Sequence, residues 1–305
     1  MLDNLSTVPV SGVKKYAKSA SFPSNHSRTV YVALKLPERK IITGSDDGSL
    51  NMFDMTTFEN IGSYQCHVGG VRCMISLPNS KLVTGSYDKT IKIWPDPLKL
   101  ADLSQSNLQL SQISQLSKKT NAVPPLSPLK TLTGHTSSVI SLKYLNDGIT
   151  FASGSADYNI KIWDFEKGEN IKNFSGHMSD ILCIECTSNG NTLISGSADR
   201  TIKVWSLTKK YSSACLKTLT GHTDFIWTIL LLQDDSTLFS GGLDKTIKMW
   251  DINTGNLIRN LPLEHSSHIT KLLQLSKEVV VSCGNDGNIK FWDYRSNSCT
   301  HTLQL

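Results

Sequence analysis

The feature that most constrains the fold of this 305-residue chain is a motif that recurs six times at nearly constant spacing. Each copy ends in a short apolar run that closes on an aromatic residue: Phe53, Trp94, Trp163, Trp205, Trp250 and Trp292. Successive copies are separated by roughly 40–45 residues, except for one interval, between Trp94 and Trp163, that is longer by more than half. Such a period is typical of a supersecondary unit that packs against copies of itself.

Each unit has the pattern of four short strands. In the third unit an apolar run begins at Val139, and a turn follows at Asn146-Asp147-Gly148. A second strand then ends in Ser-Gly-Ser, and a β-branched third strand carries the Trp. Alternating apolar and polar residues between Gly, Asn and Asp turns indicate strands and hairpins. Four strands per period predict an all-β fold, a β-propeller of six four-stranded blades.

Four side chains keep one register in all six units. Counted from a turn aspartate, an aromatic residue stands at position +6, a hydroxyl residue at position −4 and a histidine at position −21 or −22. In the three most regular units they are His135, Ser153, Asp157 and Trp163; His177, Ser195, Asp199 and Trp205; and His222, Ser240, Asp244 and Trp250. A Ser-His-Asp set suggests a nucleophile. A nucleophile site occurs once per domain, so the sixfold recurrence of this Ser-His-Asp set favours a structural role.

These motifs resemble the WD-repeat (WD40) family of β-propellers. The pairs Gly134-His135, Gly176-His177 and Gly221-His222, each followed by a Trp-Asp-like ending, carry the resemblance, which covers about residues 25–305. It implies that the indole, hydroxyl, imidazole and carboxylate of each unit form a hydrogen-bonded network inside one blade. A satisfied buried network rigidifies its surroundings, and one that loses a partner is destabilised. The first unit carries Phe53 instead of Trp, so we expect a less regular blade there.

The repeat also predicts the domain organisation. Residues 1–24 are expected to form an N-terminal tail, with residues 14–22 as a candidate closing outer strand, and residues 25–305 form the propeller. Residues 96–128 are a Ser/Gln/Leu-rich insert within the second repeat. A flexible loop is expected there, and the alternative is an amphipathic segment that folds on a partner. For the ring itself, the alternative to six blades is a seven-bladed relative with one blade missing or irregular.

Several function classes are disfavoured by composition and motifs. The net charge of +5 is too small to indicate nucleic-acid binding without a clustered basic patch. The pair Cys183 and Cys186 has no second Cys pair with which to form a zinc site. The sequence shows no Gly-rich phosphate loop and no unrepeated catalytic set. We therefore expect no enzymatic activity, no metal or other cofactor, and no small-molecule substrate.

The sequence also bears on location. Its longest apolar run, near residues 226–232, is far shorter than the roughly 20 residues that a membrane-spanning helix needs, so no membrane insertion is expected. The first residues lack the basic and apolar pattern of a secretory signal. Seven cysteines without such a signal favour reduced thiols. We expect a protein of the cytoplasm, with the nucleus as the alternative, and not a secreted one.

The resemblance implies that the propeller face around the histidines docks proteins or peptides. Large, stiff and amphipathic side chains are the usual anchors of such contacts. On loop position, the candidate partner-binding residues are Tyr31, Arg72, Tyr87, Phe225 and Trp227. The expected function is a non-catalytic scaffold that assembles a protein complex. The alternative is a substrate-recognition subunit of a ubiquitin ligase or another multi-protein enzyme complex.

Overall fold

The computed structural model describes residues 25–98, 127–208, 215–262 and 264–304. These residues form six four-stranded antiparallel sheets, and each sheet is built from four strands that are consecutive in the chain. The sheets lie around a central axis as the blades of a six-bladed β-propeller. The predicted all-β fold with six four-stranded blades is confirmed.

The strands of each blade run from the innermost to the outermost in chain order. Blade 1 contains β1 (Val30–Leu36), β2 (Lys40–Ser45), β3 (Ser49–Asp54) and β4 (Asn60–Gln65); blade 2 contains β5 (Val71–Ser76), β6 (Leu82–Ser86), β7 (Ile91–Trp94) and β8 (Lys130–Leu132); blade 3 contains β9 (Val139–Tyr144), β10 (Thr150–Ser155), β11 (Asn159–Asp164) and β12 (Glu169–Ser175). Blade 4 contains β13 (Ile181–Cys186), β14 (Thr192–Ser197), β15 (Ile202–Ser206) and β16 (Cys215–Leu219); blade 5 contains β17 (Ile226–Leu231), β18 (Thr237–Gly242), β19 (Ile247–Asp251) and β20 (Leu257–Asn260); blade 6 contains β21 (Ile269–Gln274), β22 (Val279–Gly284), β23 (Asn288–Asp293) and β24 (Ser298–Gln304). A short 3-10 turn, Pro78–Ser80, precedes β6.

The turn aspartates shape the hairpin between the second and third strands of every blade. In blade 4 the Asp199 carboxylate accepts a hydrogen bond from the backbone N–H of Thr201 at 2.9 Å, which is an Asx turn. The residue after each aspartate has a positive φ, for example 70° at Arg200 and 77° at Gly48. The aspartate's acceptor oxygen therefore stabilises the left-handed backbone of the residue that follows it, even where that residue is not glycine.

Neighbouring blades bury their apolar residues against each other. The first residue of an inner strand is fully buried in blades 2 to 6 and packs on a glycine of the blade before it. A Cβ added to that glycine would lie 2.6 to 2.9 Å from the side chain of the packed residue in all five junctions. Glycine is therefore required there for close approach of the blades. The five pairs are Gly44 with Val71, Gly85 with Val139, Gly154 with Ile181, Gly196 with Ile226, and Gly241 with Ile269.

The long interval in the repeat falls between β7 and β8, the third and fourth strands of blade 2. Residues 1–24 and most of the insert, residues 99–126, lie outside the described residues. The expectations for the tail, for a closing strand at residues 14–22 and for the Ser/Gln/Leu-rich insert therefore stay predictions.

Candidate interaction face

A chain of hydrogen bonds crosses each of blades 2 to 6. In blade 4 the Trp205 indole N–H donates to the Ser195 hydroxyl at 2.9 Å, and that hydroxyl lies 2.7 Å from Nε2 of His177. The other ring nitrogen, Nδ1, lies 2.7 Å from the carboxylate of Asp199. Since a carboxylate only accepts, Nδ1–H donates to it and the hydroxyl donates to Nε2. The tryptophan, hydroxyl and imidazole are all buried.

The same connections recur with little variation. The indole-to-hydroxyl distances are 2.7 to 2.9 Å in blades 2 to 6, and the imidazole-to-carboxylate distances are 2.6 to 2.9 Å. The sets are His67, Thr84, Asp88 and Trp94; His135, Ser153, Asp157 and Trp163; His177, Ser195, Asp199 and Trp205; His222, Ser240, Asp244 and Trp250; and His265, Ser282, Asp286 and Trp292.

Blade 1 has a weaker version of this network. Phe53 provides no indole N–H, and the Thr43 hydroxyl lies 2.9 Å from Nε2 of His26 and 3.3 Å from the backbone carbonyl oxygen of Asn51. Nδ1 of His26 lies 2.9 Å from the Ser49 hydroxyl but 3.4 Å from the Asp47 carboxylate. Blade 1 is thus the least regular of the six, for the reason that its sequence suggests.

Electrostatics favour the charged form of the turn aspartates. Burial by itself raises the pKa of Asp157, but the hydrogen bond from His135 and the backbone N–H groups of Thr136 and Asn159 outweigh it and lower the pKa to about 2. The carboxylate accordingly stays ionised and links the histidine loop to the turn. The networks therefore hold the loops of one propeller face in position.

The face that these loops form surrounds a central cavity of about 300 Å³. All six inner strands contribute to its lining. The residue five positions after each blade histidine points into this cavity, so six equivalent positions converge from six blades: Tyr31, Arg72, Ile140, Leu182, Trp227 and Thr270.

Three of the five predicted partner-binding residues form one cluster on blades 1 and 2. The guanidinium carbon of Arg72 lies 4.0 Å from the ring centroid of Tyr31 and 5.1 Å from that of Tyr87, both within cation–π range. The two rings meet edge to face at 6.2 Å. Burial, the largest influence, raises the pKa of Tyr87, although the charge of Arg72 acts to lower it. Both tyrosines stay exposed over about 40% of their surface, so the cluster is accessible to a partner.

The other two residues lie on blade 5. Trp227 is half-buried and stacks at a tilted angle on His268, with 6.2 Å between the ring centroids. Phe225 is exposed on the adjoining loop. The five predicted residues therefore form two aromatic groups rather than one. His268 was not among the predicted residues, although it occupies the same loop position in blade 6 as Phe225 in blade 5, three residues after the blade histidine.

The lysines that recur on the third strands do not form a basic track. Each donates from Nζ to an acceptor within its own blade or the adjoining loop, and Lys248 and Lys290 are buried. The acceptors are the Cys66 carbonyl for Lys92, Asn173 for Lys161, Thr218 for Lys203, Asn260 for Lys248 and Thr302 for Lys290. The Nζ groups that phosphate binding would need are therefore already engaged with acceptors of the protein itself.

Comparison with known proteins agrees with this architecture. The family profile described as "WD domain, G-beta repeat" (WD40) matches residues 58–95, 126–164, 168–206, 213–251 and 255–293, more than half of the chain. The chain belongs to the WD40 repeat family. WD40 propellers generally bind other proteins or peptides and are typically non-catalytic. The five matches leave out β1 to β3, in the blade that lacks the tryptophan.

Individual relatives are more distant. Pre-mRNA-processing factor 19 of Mus musculus is 29% identical over 195 residues, which cover 55% of this chain and 39% of that protein. WD repeat-containing protein 1 of Xenopus tropicalis is 31% identical over 175 residues, covering 48% of this chain and 28% of that protein. The chain therefore spans less than half the length of these relatives.

A solved structure shows the same fold. The crystal structure of the WD40 β-propeller domain of Doa1 superposes with a TM-score of 0.71 at 22% identity, covering 92% of this chain and 83% of that one. Within the described ranges, no helix has the length and apolar character needed to cross a bilayer. The same ranges contain no group of three or more His, Cys, Asp or Glu side chains placed to hold a metal ion.

Proposed function

We propose that this protein is a non-catalytic scaffold that docks an extended peptide or a protein loop across the face around the central cavity. One observation carries this proposal: six equivalent positions from six blades converge on the cavity, flanked by two accessible aromatic groups. The repeated polar residues are engaged inside the blades, which leaves the loop residues as the variable surface.

The two aromatic groups suggest how a partner is held. The cluster of Tyr31, Arg72 and Tyr87 offers two half-exposed rings and one cation. Trp227 and Phe225 provide a second anchor on blade 5, and Ile140 and Leu182 line the cavity between them. Stiff aromatic residues and arginine contribute most of the binding energy in many interfaces. A segment with apolar anchors at both ends and an acceptor for Arg72 fits this surface.

Quantitative affinity purification of the wild type and of an Arg72→Ala/Trp227→Ala double variant tests this proposal. We expect the captured partners to fall by about tenfold or more, since two anchors are removed. Ile171→Ala/Arg295→Ala is a matched control, because it removes one exposed apolar residue and one arginine from an outer strand and a turn away from the face. Unchanged capture by the face variant, in a protein whose melting temperature is retained, would contradict the proposal.

The identity of the lost partners separates the scaffold from its alternative. Subunits of a ubiquitin ligase among the proteins lost from the double variant would favour the substrate-recognition role. Partners from several unrelated assemblies would favour the general scaffold. Retention of wild type on DNA or RNA that falls steeply with salt would instead indicate nucleic-acid binding.

A further inference from the structure

Two cationic side chains line the central cavity without an acidic partner. They are Arg72 on blade 2 and Lys271 on blade 6. The Nε of Arg72 is buried without a hydrogen-bond partner, and among the described residues no carboxylate lies within ion-pair distance of either cation. The rings of Tyr31 and Tyr87 hold the guanidinium in place, but they stabilise its charge without accepting its in-plane N–H groups. Arg72 is therefore held in position with its donors unsatisfied.

The fold does not require a charge at either position. The residue five positions after the blade histidine, which is Arg72 in blade 2, is uncharged in the other five blades: Tyr31, Ile140, Leu182, Trp227 and Thr270. The next residue along the strand, which is Lys271 in blade 6, is also uncharged in the other five: Val32, Cys73, Ser141, Cys183 and Thr228. Both cations are therefore features of this cavity and not of the repeat.

The carboxylates near the cavity are paired with other cations or lie outside the lining. Glu185 is the single carboxylate in the described lining, and its Oε2 forms an ion pair with Nζ of Lys143 at 2.5 Å. Asp46 pairs with Arg28 at 3.6 Å, and Asp180, on the loop of blade 4, is not part of the lining. The cavity therefore carries positive charge that no described carboxylate compensates.

The charge of Lys271 reaches across the cavity. Burial raises the pKa of the Cys183 thiol, on the inner strand of blade 4, to about 12, and Lys271 is the strongest influence in the opposite direction. Blade 4 lies two blades away from blade 6 along the ring, so this influence agrees with the place of Lys271 in the cavity lining. Arg72 and Lys271 thus act on one shared space.

Given the docking face proposed above, on which this inference rests, we propose that the central cavity binds the carboxylate of an aspartate or glutamate side chain of the docked segment. A carboxylate matches the planar N–H fork of arginine with two parallel hydrogen bonds, and a guanidinium already held between two rings loses little freedom on binding. Lys271 adds a second positive charge. A phosphorylated residue fits less well, because its charge of about −2 is usually met by several arginines and the described lining contains one.

Selection of peptides from a random library, displayed between constant flanking sequences, tests whether the cavity takes an acid. We expect the enriched peptides to carry aspartate or glutamate at one fixed position. An apolar residue should stand on at least one side of it, because Trp227 on blade 5 lies across the ring from Arg72 on blade 2. In the tightest binder, replacing the acid by its amide should weaken binding at least about tenfold, since the ion pair is lost. Isothermal titration calorimetry measures both affinities.

Variants of the cavity show whether its two cations meet the acid. In Arg72→Gln/Lys271→Gln the acidic peptide and its amide form should bind with equal affinity, because the coupling between the charges is gone. Arg200→Gln/Lys245→Gln is the matched control, since it removes one arginine and one lysine from exposed turns outside the lining and should keep the preference for the acid. If the cavity double variant melts early, Lys271→Gln alone, at an exposed position, should still reduce that preference.

Results that contradict the carboxylate site differ from those that contradict the docking face. Peptides that lose affinity in Trp227→Ala but carry no fixed acid would overturn the carboxylate site and leave the docking face standing. A preference for the acid that persists in the cavity double variant would do the same. So would a phosphoserine at the acidic position that binds more than about tenfold more tightly than the acid. A selection without any peptide that depends on Trp227 or Arg72 would contradict both.

Discussion

Five blade junctions are packed by apolar clusters, whereas the junction between blades 6 and 1, here called the seam, has nearly the same sequence pattern but no such cluster among the described residues. At the junction of blades 4 and 5, Ile226 is fully buried against Gly196, and Leu219 is buried in the same cluster. At the seam the equivalent residues are Val30, Cys283 and Leu303, and Val30 and Leu303 are 44% and 48% exposed. The comparison shows that a repeat position is a core residue only if a neighbouring blade covers it.

The largest contrast should come from truncating the equivalent outer-strand leucines. Leu219→Ala removes buried apolar atoms and leaves a cavity, so we expect a loss of about 2–5 kcal/mol in the free energy of unfolding. Leu303→Ala should cost less than about 1 kcal/mol, since half of that side chain is already in solvent. Chemical denaturation of both variants measures the difference. Equal losses would mean that the seam is packed like the other junctions.

Glycine positions sharpen the comparison further. Gly196→Val would place a Cβ 2.7 Å from Sγ of Cys183 and 2.9 Å from Ile226, and this overpacking should cost about 1–3 kcal/mol. Cys283→Val, at the same position of blade 6, should change stability by less than about 0.5 kcal/mol because none of the six described sheets packs over it. Thermal melts of the two variants provide the check, and a destabilised Cys283→Val protein would argue for a closed ring.

The polar networks offer a contrast of intermediate size. Asp157→Ala or Asp199→Ala leaves a buried histidine without its acceptor, which should cost about 1–3 kcal/mol. Asp47→Ala in blade 1 should cost less, since Nδ1 of His26 lies closer to Ser49 than to Asp47. Melting curves that show no change for Asp157→Ala would count against the network as a source of stability.

The same carboxylates predict a pH dependence. The pKa of Asp157 in the folded protein is about 2, below the ordinary aspartate value of 3.8. Its contribution is therefore complete above about pH 4 and is lost as the pH falls from 4 toward 2, because the unfolded state then binds the proton more readily. Denaturation midpoints of wild type and Asp157→Asn between pH 6 and pH 2 should converge at the acid end. A constant difference between the two midpoints across that range would contradict a contribution from the ionised Asp157 carboxylate.

The smallest expected effect is a gain. Phe53→Trp restores the indole donor that blade 1 lacks, and Thr43 is in place to accept its hydrogen bond. We expect up to about 1 kcal/mol of added stability, the ordinary net value of one hydrogen bond. Trp163→Phe is the reciprocal control and should lose at least as much, because it removes the indole N–H that donates to Ser153 in a fully buried site. A destabilised Phe53→Trp protein would show that blade 1 has no space for the larger indole ring.

The sequence allowed the blades and their internal chemistry to be predicted, because each requirement is local and recurs six times. Asp199, for example, is tied to Trp205 and Ser195 by fixed strand spacing, so one register describes every network. The division of the face residues into two groups depends on how Arg72 packs between rings of blades 1 and 2, which no spacing within one repeat contains. The exposure of Val30 was not predictable for the same reason, because it depends on whether another blade packs over that side chain.

Native-state thiol labelling tests the central claim most directly. Cys283 at the seam and Cys73 at the packed junction of blades 2 and 3 lie beside equivalent faces, and burial raises the pKa of both thiols, that of Cys73 to about 12. In variants that retain only one of the two cysteines, an open seam predicts that Cys283 is modified at least about tenfold faster than Cys73 under native conditions. Equal protection of both thiols in the folded protein would contradict the open seam.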